Sequence, residues 1–191
     1  MPLEPDSFIA LGADPDLHAT SIVRIWWHPT KGFQGVQGAF VLRLPKEFKG
    51  REAAATMARQ VAGERHALDG ARVSAFESQQ VYAGKGCRAD DLICLAHVTG
   101  ALVASYGSAE TVVYLPKPAE WKGQVPKRIH QARVLGRLGI PYEARGSTSD
   151  GYCVPKAHFQ QPSIKVADFK HVVDALALAV YAAERYVRDT R

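Results

Sequence analysis

Asp14, Glu77, His171 and Asp174 are the residues of this chain whose types and spacing could do chemistry together. Residues 8–15, FIALGADP, form an apolar run that ends in a carboxylate, as a buried strand would when it delivers an acid to a sheet edge. Residues 71–76 form a second short strand-like run with Glu77 directly after it. His171 and Asp174 lie three residues apart in HVVDALALA, so on a helix they share one face, about 60° apart. Two strand-end acids and a helical His/Asp pair, drawn from both ends of the chain, would on meeting form one divalent-metal site. The chemistry of such a site is hydrolytic.

The elements that would position these groups follow from periodicity. Residues 8–14, 21–27 and 36–44 read as strands, and Pro29-Thr30-Lys31-Gly32 between the second and third marks a turn, so an antiparallel meander is expected. A helix follows over 51–68, with Ala54, Met57, Ala58, Val61 and Ala62 at helical spacing. Then come a strand at 71–76, a helix at 92–106 that Asp90 or Asp91 could cap, and a strand at 111–115. A helix opening at Pro126 runs to about Leu138, where Gly139 and Pro141 end it. Residues 142–165 read as a long loop with room for one short extra strand, and a final helix spans 168–188 with Asp168 as its cap. A meander followed by βαβ crossovers predicts an α/β fold, with a mixed five-stranded sheet flanked by helices.

A chain of 191 residues with 47% hydrophobic content is expected to form a single domain over 1–191. A formal charge of +5 favours a polyanionic partner without requiring one. Cys87, Cys94 and Cys153 have neither paired spacing nor an even count, which fits a reducing cytoplasm. The start lacks a signal-peptide profile. The longest apolar stretch, 92–106, falls short of the roughly 20 residues of a membrane span, so neither secretion nor membrane insertion is expected.

These segments resemble the RuvC family of Holliday-junction resolvases, within the ribonuclease-H-like nuclease fold. Leu11-Gly12-Ala13-Asp14-Pro15 is similar to that family's first acidic strand and Ser74-Ala75-Phe76-Glu77 to its second. The run from His171 to Ala179 is similar to its final helix, where the first metal-facing position is Asp in some members and His in others. Tyr114-Leu115-Pro116-Lys117 and the stretch from Trp121 to Lys127 resemble its proline- and lysine-bearing segment after the fifth strand. The likeness runs in order through nearly the whole chain. Asp16 departs from it, standing where the family usually has Gly, and the stretch 146–161 has no counterpart.

The resemblance implies a structure-selective endodeoxyribonuclease that resolves four-way DNA junctions by paired hydrolysis. It implies two Mg²⁺ ions per site, with Mn²⁺ able to substitute, about 4 Å apart. Asp14 would bridge the ions, Glu77 and Asp174 would each flank one, and His171 would complete a shell or orient the attacking water. A four-way junction has near two-fold symmetry, so a homodimer is implied, with the apolar helix at 92–106 as its interface or simply as cover for the sheet. Lys117, Lys122, Lys127 and Arg128 near Trp121 could neutralise phosphates, and Trp121 could stack on a base or brace its loop. Residues 30–37 could form a tip that reaches DNA, and Trp26-Trp27 should place one ring on each face of the sheet. Two other readings are a branched-DNA-binding module without turnover and an actin-like ATPase or sugar kinase. The second is suggested by the spacing of Asp14 and Thr20 but lacks a second glycine-rich phosphate loop.

Overall fold

The computed structural model describes residues 4–64, 70–78, 88–156, 159 and 164–191. Five strands, β1 (Phe8–Asp14), β2 (Ala19–His28), β3 (Gly32–Arg43), β4 (Val73–Phe76) and β5 (Val112–Tyr114), form one sheet in the order β3-β2-β1-β4-β5. The first three pair antiparallel, and β4 and β5 run parallel to β1. This is the mixed sheet expected from the sequence. The helices are α1 (Gly50–Gly63), α2 (Ala89–Tyr106), the short α3 (Pro118–Trp121), α4 (Lys127–Arg137) and α5 (Phe169–Asp189). The end of the first predicted helix, at 65–68, lies outside the described residues, as does Cys87. Among the described residues no helix is long and apolar enough to cross a membrane.

β1 serves two cores at once. Phe8 and Ala10 join Val23, Ile25 and Trp27 of β2 under α5, whereas Leu11 and Ala13 face Met57 of α1 and Val98 and Leu102 of α2. Successive strand residues point to opposite faces, so a central strand covered on both sides needs an almost uninterrupted apolar run. By the same alternation Gly12 and Asp14 fall on the α5 side. Trp27 is buried in the α5-side core and its neighbour Trp26, on the opposite face, is half-buried, which divides the two rings as expected.

α5 lies almost directly on β1. A Cβ built on Gly12 would stand 2.1 Å from the Ala175 carbonyl oxygen and 2.2 Å from the Ala179 nitrogen, so only glycine admits this approach. Asp14 is two residues further along the strand, about 6.7 Å. His171 is four residues back from Ala175 along the helix, about 6 Å. These near-equal spans bring the two side chains together.

Several local expectations change. β2 and β3 are longer than predicted and pair up to the turn at 29–31, so most of the supposed tip at 30–37 is paired ribbon. Asp90 and Asp91 lie inside the first turn of α2 behind Arg88, favourable to the helix dipole but not caps. Pro126 is the N-cap of α4 rather than a first-turn residue. Asp168 stands at the N-cap of α5 as expected, but its carboxylate turns back to the Lys165 N–H at 3.1 Å, closing a 3-10 turn before the helix, and also pairs with Arg43 at the end of β3. The predicted loop at 142–165 contains two strands, β6 (Tyr142–Arg145) and β7 (Tyr152–Pro155), that form a separate antiparallel hairpin; residues 157–158 and 160–163 of that loop lie outside the described residues. β6 is exposed along its whole length, so its sequence carries no alternation to read.

Replacing Gly12 with Ala should destabilise the protein by about 2 kcal/mol or more, as overpacking against main chain does, although Ala ordinarily suits a strand better than Gly. Urea unfolding followed by far-UV circular dichroism reads this, and an unchanged midpoint would show that α5 does not rest on β1.

Candidate active site

The parallel pairing of β1 with β4 sets the first two acids side by side. Ala13 is in register with Phe76, and Asp14 and Glu77 are each one residue beyond that pair at the same end of the sheet. Neighbouring strands run about 4.8 Å apart. The α5 approach adds the third and fourth groups: His171 Nδ1 lies 2.8 Å from Asp14 Oδ2, and Asp174 is buried one turn further along the helix. The structure thus gathers all four predicted chemical residues at the carboxyl ends of β1 and β4.

Asp174 and Glu77 each hold a lysine. Lys127 Nζ, at the start of α4, lies 2.5 Å from Asp174 Oδ2, while the Gln131 amide donates to Asp174 Oδ1 at 2.8 Å. Glu77 Oε2 accepts from the Trp121 indole N–H at 3.1 Å and from Lys122 Nζ at 3.2 Å. The Lys122 ammonium also sits 4.8 Å from the centre of the Trp121 ring, which meets the edge of His130 at 5.1 Å. Trp121 therefore braces the loop after β5 against α4. Arg128 is turned the other way: its guanidinium donates to the Gly146 carbonyl and the Thr148 hydroxyl, both at 2.8 Å, and ties α4 to the hairpin turn. Lys117 is exposed beside α3. Asp16 is taken up by the β1–β2 turn, where Oδ1 accepts from the His18 and Ala19 N–H groups at 2.7 and 3.0 Å.

The acids feel one another. Burial pushes the Glu77 carboxyl above the usual range, the charges of Asp14 and Asp174 push it further, and Lys122 opposes the rise. Burial likewise raises Asp174, with Asp14 adding to the rise and Lys127 and Gln131 working against it. Burial alone would lower Lys127, yet attraction to Asp174, Asp14 and Glu77 outweighs it and holds its ammonium above the usual lysine value. The imidazole of His130 is depressed to about 4 by burial and by surrounding cations including Lys122, so it is neutral at physiological pH.

Among the described residues no three His, Cys, Asp or Glu side chains stand close enough to hold an ion as they are. Positive charge among the three acids comes from the ammonium groups of Lys127 and Lys122, protein cations where such a cluster calls for one. Carboxylate oxygens are the donors that Mg²⁺ or Mn²⁺ prefers and one imidazole is compatible with either, so Asp14, Glu77, Asp174 and His171 are chemically suited to such ions. Gln131 had no sequence signal as a site residue. Its one clue is its place four residues after Lys127, on the same helix face.

Replacing Lys127 with Met leaves the Asp174 charge buried against the other acids and should cost about 1–3 kcal/mol at neutral pH. Asp174 already holds its proton more tightly folded than unfolded, and the substitution strengthens that preference. The stability tied to a raised carboxyl is complete below its unfolded value and is lost as pH rises through the folded one. The deficit relative to wild type should therefore shrink as pH falls and Asp174 protonates. Urea unfolding at neutral and acid pH checks it, and a deficit independent of pH would contradict the pairing.

No family model and no curated protein matches the chain by sequence. By structure it is similar to RuvC from Thermus thermophilus, with a TM-score of 0.63, 19% identity and coverage of 95% of this chain and 96% of that one. It is also similar to T. thermophilus RuvC in complex with Holliday junction substrate (TM-score 0.61, 15% identity, 95% and 96% covered). A third is Ydc2, the yeast mitochondrial Holliday junction resolvase, at a TM-score of 0.55 and 10% identity, over 100% of this chain and 87% of that one. The strand order, the helices on both faces and these end-to-end superpositions place the chain in the ribonuclease-H-like fold of the RuvC resolvases.

Proposed function

We propose that this chain is a metal-dependent endonuclease that resolves four-way DNA junctions by paired hydrolysis. Asp14, Glu77, Asp174 and His171 would hold two Mg²⁺ ions per site, with Mn²⁺ able to replace them. The observation that carries the reading is the gathering of three carboxylates, from the ends of β1 and β4 and from α5, around the ammonium of Lys127. Ions bound there supply an activated water and stabilise the leaving 3′ oxygen of a phosphodiester. Asp14, whose charge is felt by both other acids, is suited to the place between the ions. His171, bonded to Asp14 through Nδ1, keeps Nε2 for an ion or a water. Lys122 and Lys127, on flexible stems, can trade a carboxylate for a DNA phosphate when a cation takes over the acids. Exposed Lys117 extends the same basic edge, and Trp121 stiffens it.

Support for branched DNA as substrate comes from fold neighbours that are Holliday junction resolvases, one of them solved with a junction. Two-fold junctions call for a symmetric dimer. α2 buries Cys94, Val98 and Leu102 inward, but outward it presents Ile93, 47% exposed, and an apolar groove of about 470 Å³ lined by Ala96, Gly100, Val103 and Leu115. That face is our assignment for the homodimer contact. The kinase-like spacing from Asp14 to Thr20 gains no support, because the buried Thr20 hydroxyl bonds the Asp16 carbonyl at 2.6 Å within the turn.

An end-labelled four-way junction incubated with Mg²⁺, beside linear duplex and flap controls, tests the reading. Wild type should nick opposed strands of the junction, and Asp14→Asn should bind it equally while cutting roughly a thousandfold more slowly. Wild type that binds the junction and leaves it intact with either Mg²⁺ or Mn²⁺ would identify a binding module without turnover.

A further inference from the structure

Among the described residues Gln131 is the largest polar side chain that the fold encloses completely, with 0% exposure. Its amide is used on three sides: Oε1 accepts from the Cys153 N–H of β7 at 2.9 Å, and Nε2 donates to the Lys170 carbonyl at 2.9 Å and to Asp174 Oδ1 at 2.8 Å. Two main-chain groups fix which way the amide is turned, since an N–H must face the oxygen and a carbonyl must face the NH₂. The remaining N–H can then point only at the carboxylate. With Oδ1 occupied in this way, Oδ2 is the oxygen turned toward Lys127.

We propose that Gln131 is the positioning residue of the metal site: it clamps Oδ1 of Asp174 so that Oδ2 faces the cation, and through Cys153 it makes that orientation depend on the β6–β7 hairpin. The proposal rests on Asp174 being a metal ligand, as argued above. The hairpin is fastened to α4 at two points, by the Gln131 bond to β7 and by the Arg128 bonds to the turn, so the segment absent from the family likeness is locked to one ligand of the site. Groups that orient a ligand in this way typically change metal affinity 10- to 100-fold when removed. A packing role alone would alter stability and leave the affinity of the folded protein untouched.

The test uses the whole chain without DNA. Mn²⁺ binding is measured by titration calorimetry and by the electron paramagnetic resonance signal of free Mn²⁺, with circular dichroism confirming the fold. Gln131→Met removes all three bonds. Gln131→Glu keeps the acceptor for Cys153, and so the tie to the hairpin, but faces Asp174 with a second acid. Both should weaken Mn²⁺ binding by about 10- to 100-fold. If Gln131→Met does not fold, Gln131→Glu carries the result by itself. A folded variant whose Mn²⁺ affinity equals that of wild type overturns the positioning role. Wild type that binds Mn²⁺ and cuts no junction overturns the nuclease reading and leaves this role standing.

Discussion

The contact of α5 with β1 at Gly12 is the constraint from which the site follows. Because position 12 has no side chain, the carbonyl of Ala175 and the nitrogen of Ala179 press on the strand, and the helix can neither slide nor lift without losing that fit. Asp14 and His171 then meet at equal distances from the contact. The parallel register of β1 with β4 brings Glu77 beside Asp14. Main-chain packing thus decides where the acids lie, and their side chains only complete it.

Gathering acids in this way has an electrostatic cost that the fold meets with lysines. Glu77 and Asp174 are raised by burial and by their neighbours, and Lys122 and Lys127 oppose that rise. The cluster is therefore poised rather than settled: its acids favour any cation that can replace an ammonium, and its ammonium groups favour any oxyanion that can replace a carboxylate. In the proposed function those two exchanges occur together when metal and DNA arrive. Perturbed acids and bases at the carboxyl ends of sheet strands are where function is expected in an open α/β fold.

Much of this could be read from residues alone, for identifiable reasons. The five strands were legible because β1 and β2 are long and apolar and Pro29 to Gly32 marks the turn between β2 and β3. The four chemical residues were legible because each closes a periodic segment or shares a helix face. The β6–β7 hairpin was not, since four exposed residues, Tyr142 to Arg145, carry no burial pattern and their pairing depends on β7 and α4. Lys127 was read as a phosphate contact because a lysine at a helix start looks solvated; that it faces Asp174 depends on the crossing of α4 over α5, which no local spacing encodes. Gln131 was hidden for the same reason, its three partners lying on β7 and α5.

The central claim, that these acids exist to hold divalent cations, is tested most directly by crystals grown with Mn²⁺ and measured at an energy where manganese scatters anomalously. The account predicts anomalous peaks bounded by Asp14, Glu77 and Asp174, with the Lys127 ammonium moved off Asp174. Crystals with manganese bound elsewhere, and Lys127 still paired with Asp174, would contradict it.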